Sequence, residues 1–406
     1  MRTSAPVVFI LLVLSAQIAS ALEMPQAERL ALESDPQLLS LAAQARAKGH
    51  LQVADAQLPD PRLQFGTMAV PLPGLSLRDE PMSQIQIGID QQVPSRASRS
   101  ARVRQNEADQ QALLLRSALR ELQLRQRVRQ AWVNIVQLQT LIELSEQRAE
   151  VLNRYSQALQ DGLQNNRVSQ QDVLDARARA IRVEQRLARL RVRLSTQRAG
   201  LMELTAASQL PELLQASDVP QTESFSLDDH PEIRAASAEI QRAEAGIIRA
   251  EAAFDPDWSW HLGVGRRIGD TPMGAPSETL LNARISIDLP LFTAKRQSQR
   301  LSAAREQVQA AQSEPVAVRR SLQARLRAAR HAAEQFSELA LLYQNSVLPA
   351  SQSAAAAARD NYRNGFTALE NVLAAEIEVL DVRNERTEAL LERDLARVEL
   401  AYLGGL

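Results

Sequence analysis

The chain has 406 residues, and its 47 Lys and Arg residues balance 48 Asp and Glu residues, so it lacks the basic excess typical of nucleic-acid-binding domains. It has no Cys and only four isolated His residues, which excludes disulfide bonds and thiolate metal sites and predicts no cofactor or metal centre. No phosphate-binding Gly loop and no set of nucleophile, His and acid is visible, so we do not expect an enzyme.

The N-terminus has the pattern of a secretory signal peptide. Arg2 precedes an apolar run over residues 6–18, and Ala19, Ser20 and Ala21 offer small residues at a cleavage site. The apolar run is shorter than the roughly 20 residues of a spanning helix, so we expect cleavage after Ala21 rather than an anchor. No later stretch has enough consecutive apolar residues for a spanning helix. We therefore expect export, with any membrane insertion through strands.

Pro-containing dipeptides typical of helix ends occur in two pairs along the chain, and the members of each pair are 195 residues apart. The dipeptides that open helical stretches are Asp35-Pro36 and His230-Pro231, and those that close them are Asp60-Pro61 and Asp255-Pro256. Pro is common in the first helical turn and just beyond a helix end. The pattern predicts a duplicated chain, with a first repeat over residues 22–207, a linker over 208–229 and a second repeat over 230–406.

Each repeat then contains two segments in which apolar and polar residues alternate. This period of two predicts strands over residues 62–70, 83–93, 257–267 and 279–290. The apolar face includes Trp258 and Trp260, which we interpret as lipid-facing rather than ligand-stacking residues. The polar face is expected to line an aqueous lumen with Gln84, Gln86, His261, Asn282 and Arg284.

Very long helices follow the strands. Apolar spacing of three and four predicts helices over residues 98–161, 170–204, 295–361 and 367–403, the third with a break or kink near Pro315 and another near Pro349. A helix of about 65 residues is roughly 100 Å long, which suits a tube better than a globular core.

The turns between the long helices carry matching signals. Ser169 with Asp172, and Thr367 with Glu370, have the spacing of a capping box. We therefore expect both helical hairpins to reverse at these points.

Four strands are too few to close a transmembrane barrel, and an open sheet edge in lipid leaves backbone groups unpaired. The strands must therefore be completed by other subunits. Three copies give twelve strands, although closure alone permits other multiples.

The duplicated order of helix, strand pair and two long helices resembles the TolC-like outer-membrane efflux family over essentially the whole mature length. Further residues carry the resemblance, namely Gln91-Gln92-Val93-Pro94, Leu289-Pro290-Leu291-Phe292, Pro349, Tyr362, Gly365, Val372 and Leu373. The resemblance implies a mainly α fold with a small β part. It further implies a homotrimer with a 12-stranded β-barrel in the outer membrane and a periplasmic α-helical barrel.

The resemblance also implies function and partners. The chain would be the exit duct of a tripartite efflux system, working with a periplasmic adaptor and an inner-membrane pump. Residues 58–63 and 91–94 look most like the branch that serves heavy-metal cation pumps of the resistance–nodulation–division type. A multidrug or type I protein-secretion duct of the same fold remains open, as does a periplasmic coiled-coil structural or adaptor protein.

By resemblance, the adaptor docks on the helical tips, at Asn165, Asn166, Arg167, Val168, Ser169, Arg363, Asn364, Gly365, Phe366 and Thr367. Well-known members close the periplasmic end with an acidic ring, whose matching positions here are Asn371 and Ala374. Glu370 and Glu376 lie nearby in the second repeat, and Asp172 and Asp175 hold the equivalent places in the first. We expect a weaker, displaced charge cluster at this gate, or a leakier closure.

Overall fold

Long helices and one small sheet make up the computed structural model. It describes residues 22–72, 74–78, 80, 82–165, 168–221, 225–268 and 278–406. The predicted signal peptide, the Asn166 and Arg167 pair and the loop from residue 269 to 277 lie outside the described residues.

The first repeat contributes four helices, α1 (Met24–Ser34), α2 (Pro36–Ala56), α3 (Arg96–Gln164) and α4 (Gln170–Thr205). Helix α2 begins at Pro36 because Asp35 caps it, accepting a hydrogen bond of 2.8 Å from the Leu38 N–H. Helix α3 has 69 residues and is therefore about 100 Å long. Helix α1 is absent from the sequence prediction, because its short stretch precedes the Pro-containing dipeptides that mark the repeat.

The second repeat contributes α5 (Pro231–Ala252), α6 (Gln297–Leu342), α7 (Leu348–Arg363) and α8 (Leu369–Leu403). The π-helical segment Tyr343–Val347 connects α6 to α7, so no loop separates the two helices.

The two prolines expected to interrupt this helix behave differently. Of the break or kink predicted at Pro315, the break is absent, because α6 continues through this residue. Pro315 removes one backbone hydrogen bond of α6. The helix has 46 residues and packs on both α5 and α8, and this packing outweighs the loss. In a regular α-helix the ring of Pro349 would clash with the carbonyl of Asn345, four residues earlier, and here the helix widens into the π-helical segment.

Four antiparallel strands form one sheet in the order β1 (Arg62–Met68), β2 (Gln84–Val93), β3 (Asp257–Arg267) and β4 (Thr279–Asp288). The central pair, β2 with β3, joins the two repeats over ten residues. Strands β1 and β4 form the two edges, and no described strand pairs with their outer sides.

The helices pack through narrow seams. Helix α4 buries the apolar positions of a heptad repeat against α3 and leaves most of its other residues exposed. The seam consists of Ala176, Val183, Leu187, Leu190 and Leu201. A thicker core lies where α1 crosses the helical pair, around Met24, Trp132, Ile135 and Leu201.

None of the described helices combines the length and the apolar character needed to cross a membrane.

Candidate functional site

The strand register brings all five predicted lumen residues to one face of the sheet. In a sheet, residues that face each other across neighbouring strands share a face. One row crosses all four strands as Arg62, Asp90, His261 and Arg284. The rows beyond it contain Asn282, Gln86 and Gln84, in that order, so this face is polar over most of its height.

His261 is closely packed on the polar face. Its Nδ1 lies 3.1 Å from Oδ2 of Asp90 on the neighbouring strand. The ring lies across two glycines, since a Cβ at Gly88 would be 2.6 Å from the ring and one at Gly263 would be 2.9 Å from it. These glycines make room for the ring, so the imidazole fits beside the Asp90 carboxylate on this face.

The opposite face of the sheet is apolar and exposed. Phe65, Ile87, Trp260 and Ile285 have exposed fractions of 76%, 47%, 36% and 70%, one from each strand. A contiguous apolar surface of this kind marks contact with a partner or with lipid. The sheet is thus two-faced in the way that a channel wall requires.

At the first helical tip, the predicted capping box is present. Ser169 accepts a hydrogen bond from the Asp172 N–H, and Asp172 accepts one of 2.9 Å from the Ser169 N–H. Val168 closes the turn against Gly162, where a Cβ would be 3.1 Å from its side chain. Asn165 ends α3, with its N–H bonded to the Asp161 carbonyl.

At the second tip, the predicted capping box is wrong. The N-cap of α8 is Ala368 rather than the expected Thr367, and it makes no side-chain cap bond. Thr367 instead accepts a hydrogen bond of 2.7 Å from the Asn371 side chain. The turn is held by Gly365, at a φ of 75°, and by the Phe366 N–H, which donates to the Asn361 carbonyl at 2.8 Å.

The second tip presents an aromatic side chain to solvent. Phe366 is 81% exposed, and Arg363 and Asn364 beside it lie at the end of α7. Within the described residues, Arg363 pairs only with Asp360 of its own helix, at 3.4 Å. This tip therefore offers an apolar projection with a polar rim.

Two of the gate candidates, Glu370 and Asp172, act electrostatically on Tyr155 of α3. Burial raises the pKa of the Tyr155 hydroxyl, and the negative charges of Glu370 and Asp172 raise it further. Glu370 also lies 3.8 Å from Arg179 of α4, with both side chains about half exposed. Candidates from the two repeats are thus near one another here, but each carboxylate already has a local partner.

The remaining gate candidates are dispersed. Glu376 faces α7, where it lies 3.5 Å from Arg359. Asn371 is bonded to Thr367, and Ala374 lines a groove between α4 and α8. Asp175 is exposed and has no ion pair within the described chain. Among the described residues, no group of three or more His, Cys, Asp or Glu could hold a metal ion.

The sequence prediction missed the arginines of α4. Arg179, Arg182, Arg186, Arg189 and Arg193 recur at alternating intervals of three and four residues and form one ladder on the helix. Arg179, Arg182 and Arg186 line the groove toward α8. The heptad spacing of these residues is visible in the sequence, but it is equally typical of a solvated helix face.

Known proteins with a similar sequence pattern or fold identify what this architecture resembles. Residues 224–406 match the model of the family described as outer membrane efflux protein. No curated protein sequence matches the chain.

Several solved structures share the whole fold. CusC has a TM-score of 0.76 at 18% identity, covering 95% of this chain and 92% of its own. The outer membrane protein VceC of Vibrio cholerae has a TM-score of 0.73 at 18% identity, covering 94% and 96%. The MtrE outer membrane channel of Neisseria gonorrhoeae, in its open state, has a TM-score of 0.76 at 18% identity, covering 94% and 89%.

Proposed function

We propose that this chain, whose residues 224–406 match the model of the outer membrane efflux protein family and which shares the fold of outer-membrane efflux channels, is one protomer of an exit duct. The family match confirms the resemblance given by the sequence. The structural matches confirm the mainly helical fold with a small sheet. The matched family and structures are channels, in agreement with the prediction that the chain is not an enzyme.

The two-faced sheet with two open edges is the observation that carries the proposal. Its apolar face is too exposed for an isolated soluble chain, and its edge strands leave backbone groups unpaired. Strand β4 runs antiparallel to β1, so the β4 edge of one copy can pair with the β1 edge of the next. Closure in this way gives a barrel with the polar row inside and the apolar face in lipid.

The helices supply a second reason for several copies. Leu174, Ile181 and Val192 of α4 are 55%, 47% and 64% exposed, on a face that is distinct from the α3 seam. Leu341 and Leu342 near the π-helical segment are 59% and 52% exposed. Apolar faces on both flanks of the protomer suit lateral packing between copies, and a homotrimer with twelve strands is the assembly we propose.

The partners follow from the geometry of the tips. Helix α3 extends about 100 Å away from the sheet, so a barrel in the outer membrane puts the tips deep in the periplasm. There Phe366, Gly365 and Thr367 of the second tip, with Val168 and Ser169 of the first, would meet a periplasmic adaptor. The adaptor would in turn connect the duct to an inner-membrane pump of the resistance–nodulation–division type.

Cargo is the least constrained part of the proposal. The sequence resemblance around residues 58–63 and 91–94 favours heavy-metal cations. A multidrug or type I protein-secretion duct keeps every structural feature given above. The pump and adaptor select the cargo in all three cases, so the duct's own surface discriminates weakly between them.

Gating is proposed at the level of Tyr155, because the charges of Glu370 and Asp172 both raise the pKa of its hydroxyl. Because both carboxylates have local partners, we expect a weak closure when the duct is undocked. Glu370→Gln should change the cation selectivity and open probability of the channel in a planar bilayer. Unchanged values would remove Glu370 from this role.

Fractionation and reconstitution test the function directly. We expect a heat-modifiable trimer in the outer-membrane fraction that conducts ions in planar bilayers. Phe366→Asp should abolish co-purification with the adaptor. Leu39→Asp is the control: Leu39 is also apolar and exposed but lies on α2, away from the tips, so this variant should retain the adaptor. A soluble monomer without conductance would instead favour the periplasmic structural or adaptor protein.

A further inference from the structure

A groove of about 510 Å³ lies between α4 and α8, with α3 as its floor. Both flanking helices pack on α3, and the space between them is bridged by long side chains. Its lining residues are Ser145, Arg148, Leu152, Arg179, Arg182, Val183, Arg186, Ala374, Ile377 and Asn384. The groove combines a cationic wall with an apolar one.

The cationic wall has more positive charge than its partners neutralise. Four Arg residues line it, and among the described residues only Arg148 makes a close ion pair, with Asp381. Arg179 and Arg186 lie 3.8 Å and 3.9 Å from Glu370 and Glu388, at the outer limit of ion pairing. Within the described chain no carboxylate lies within 4 Å of Arg182, so the groove keeps one excess positive charge.

A buried polar side chain in the groove lining has no hydrogen-bond partner among the described residues. Asn384 is 5% exposed and lines the groove, yet its Oδ1 has no hydrogen-bond partner among the described residues. Buried side-chain amides are nearly always hydrogen-bonded, because an unpaired one loses its bonds to water without a replacement. A half-turn of the amide about its last bond exchanges the oxygen and the nitrogen, so the unpaired position can hold an NH₂ donor instead. The Nε of Arg148, in the same groove lining, also lacks a partner there.

We propose that this groove binds a soluble phosphate ester that carries an apolar group. Guanidinium groups bind phosphate oxygens in pairs and hold them with charge-assisted hydrogen bonds. Arg148, Arg182 and the Asn384 amide would hold the phosphate. Leu152 and Ile377 would contact the apolar part.

The position of the groove separates a soluble ligand from a lipid headgroup. Arg148 lies 52 residues into α3, which is roughly 80 Å from the strand end of that helix. A bilayer around the sheet is about 40–45 Å thick with its headgroups. A phospholipid in that bilayer therefore cannot reach the groove.

Isothermal titration of the full-length protein with phenyl phosphate tests the site. We expect saturable binding that weakens at least about tenfold in Arg182→Gln, because the variant loses one charge-assisted contact. Arg177→Gln, an exposed arginine of the same helix outside the groove lining, should keep the wild-type affinity. Inorganic phosphate should bind more weakly and phenol should not bind, since each has half of the required chemistry.

A second variant removes the space rather than the charge. Ala374→Phe should abolish binding of phenyl phosphate while the protein remains trimeric. No binding to the wild-type protein, or equal affinities for Arg182→Gln and Arg177→Gln, would overturn the proposal. Competition by phosphatidylglycerol in nanodiscs, against phosphatidylcholine alone, would assign the groove to a lipid and overturn the soluble-ligand proposal. None of these outcomes bears on the exit-duct function, which does not depend on this groove.

Discussion

The two repeats begin their helices at equivalent positions but stabilise them with different chemistry. Asp35 caps α2 and accepts a hydrogen bond of 2.7 Å from Arg120. His230 caps α5 through Nδ1, and its Nε2 donates to the Tyr402 carbonyl at 3.0 Å. A charged pair thus holds the first opening, and a neutral buried ring holds the second.

The same contrast recurs at the helical tips. The first turn uses the reciprocal bonds of Ser169 and Asp172, whereas the second uses the left-handed conformation of Gly365. Duplication therefore preserves where a helix begins and ends more faithfully than how the ending is stabilised. The pairs of equivalent sites provide matched experiments.

The largest expected effect is at the helix openings. His230 is 3% exposed, so His230→Ala loses two hydrogen bonds and leaves a cavity, for a cost of about 3 kcal/mol. Asp35→Ala should cost about 2 kcal/mol, because Arg120 is partly exposed and can be solvated once unpaired. Denaturant unfolding of the purified protein checks both values. Equal losses would remove the contrast between the two openings.

The openings should also differ in their pH dependence. Burial lowers the pKa of His230, and its bond to the Tyr402 carbonyl offsets this only in part. The unfolded chain therefore binds the proton first, so this contribution to stability is lost as pH falls below about 6.5, by at most about 1.4 kcal/mol per pH unit. Burial alone would raise the pKa of Asp35, but the bonds from Arg120 and Leu38 lower it overall, so its contribution is lost only below about pH 3.9.

Replacing His230 with Asn separates the pH range in which His230 affects stability from the lower range in which Asp35 does. Asn retains a capping oxygen but does not titrate, so the stability of His230→Asn should vary less between about pH 7 and pH 5 than that of the wild type. His331→Asn, at an exposed His of α6, should keep the wild-type slope. Identical slopes in all three proteins would show that His230 does not carry the effect.

A smaller effect is expected at the second tip. Gly365 has a φ of 75° and open space where a Cβ would lie, so Gly365→Ala should cost about 1 kcal/mol from backbone strain alone. Gly200→Ala is the matched control, because Gly200 lies within helix α4 with equally open space. The free energy of unfolding of this control, measured by thermal unfolding, should rise by roughly 0.5–1 kcal/mol. A neutral Gly365→Ala would mean that the turn does not need a left-handed residue.

The smallest pair of effects compares the tip hydroxyls. Ser169→Ala removes a helix cap and should cost about 1 kcal/mol. Thr367→Ala should cost only a few tenths of a kcal/mol, because Thr367 bonds an exposed side chain and caps no backbone N–H. Thermal unfolding of the two variants measures the difference, and the reverse order would restore the symmetric turns expected from the sequence.

Local and periodic features were predictable from the sequence. The heptad seam of α4 and the alternation in β2 and β3 depend on residues close together in the chain, and the fold agrees with them. The Thr367 cap is wrong, because Ala368 is the N-cap of α8 and the turn before it contains a left-handed Gly365. A break at Pro315 is absent, because packing on two neighbouring helices outweighs the local cost.

The groove and the charged row could not be predicted in the same way. His261 meets Asp90 only through the pairing of strands from different repeats. Arg182 and Asn384 come together only because α4 and α8 both pack on α3. Such long-range juxtapositions are set by tertiary packing, which no short sequence window contains.

Cross-linking between the sheet edges tests the central claim that separate copies close the sheet. The chain has no Cys, so Gln64→Cys on β1 and Asn282→Cys on β4 can be combined without background reaction. Treatment of intact cells with a short bismaleimide should give covalent species up to three copies on denaturing gels, while each single variant stays monomeric. Bands that stop at one copy, or a ladder that extends beyond three, would contradict the closed trimeric barrel.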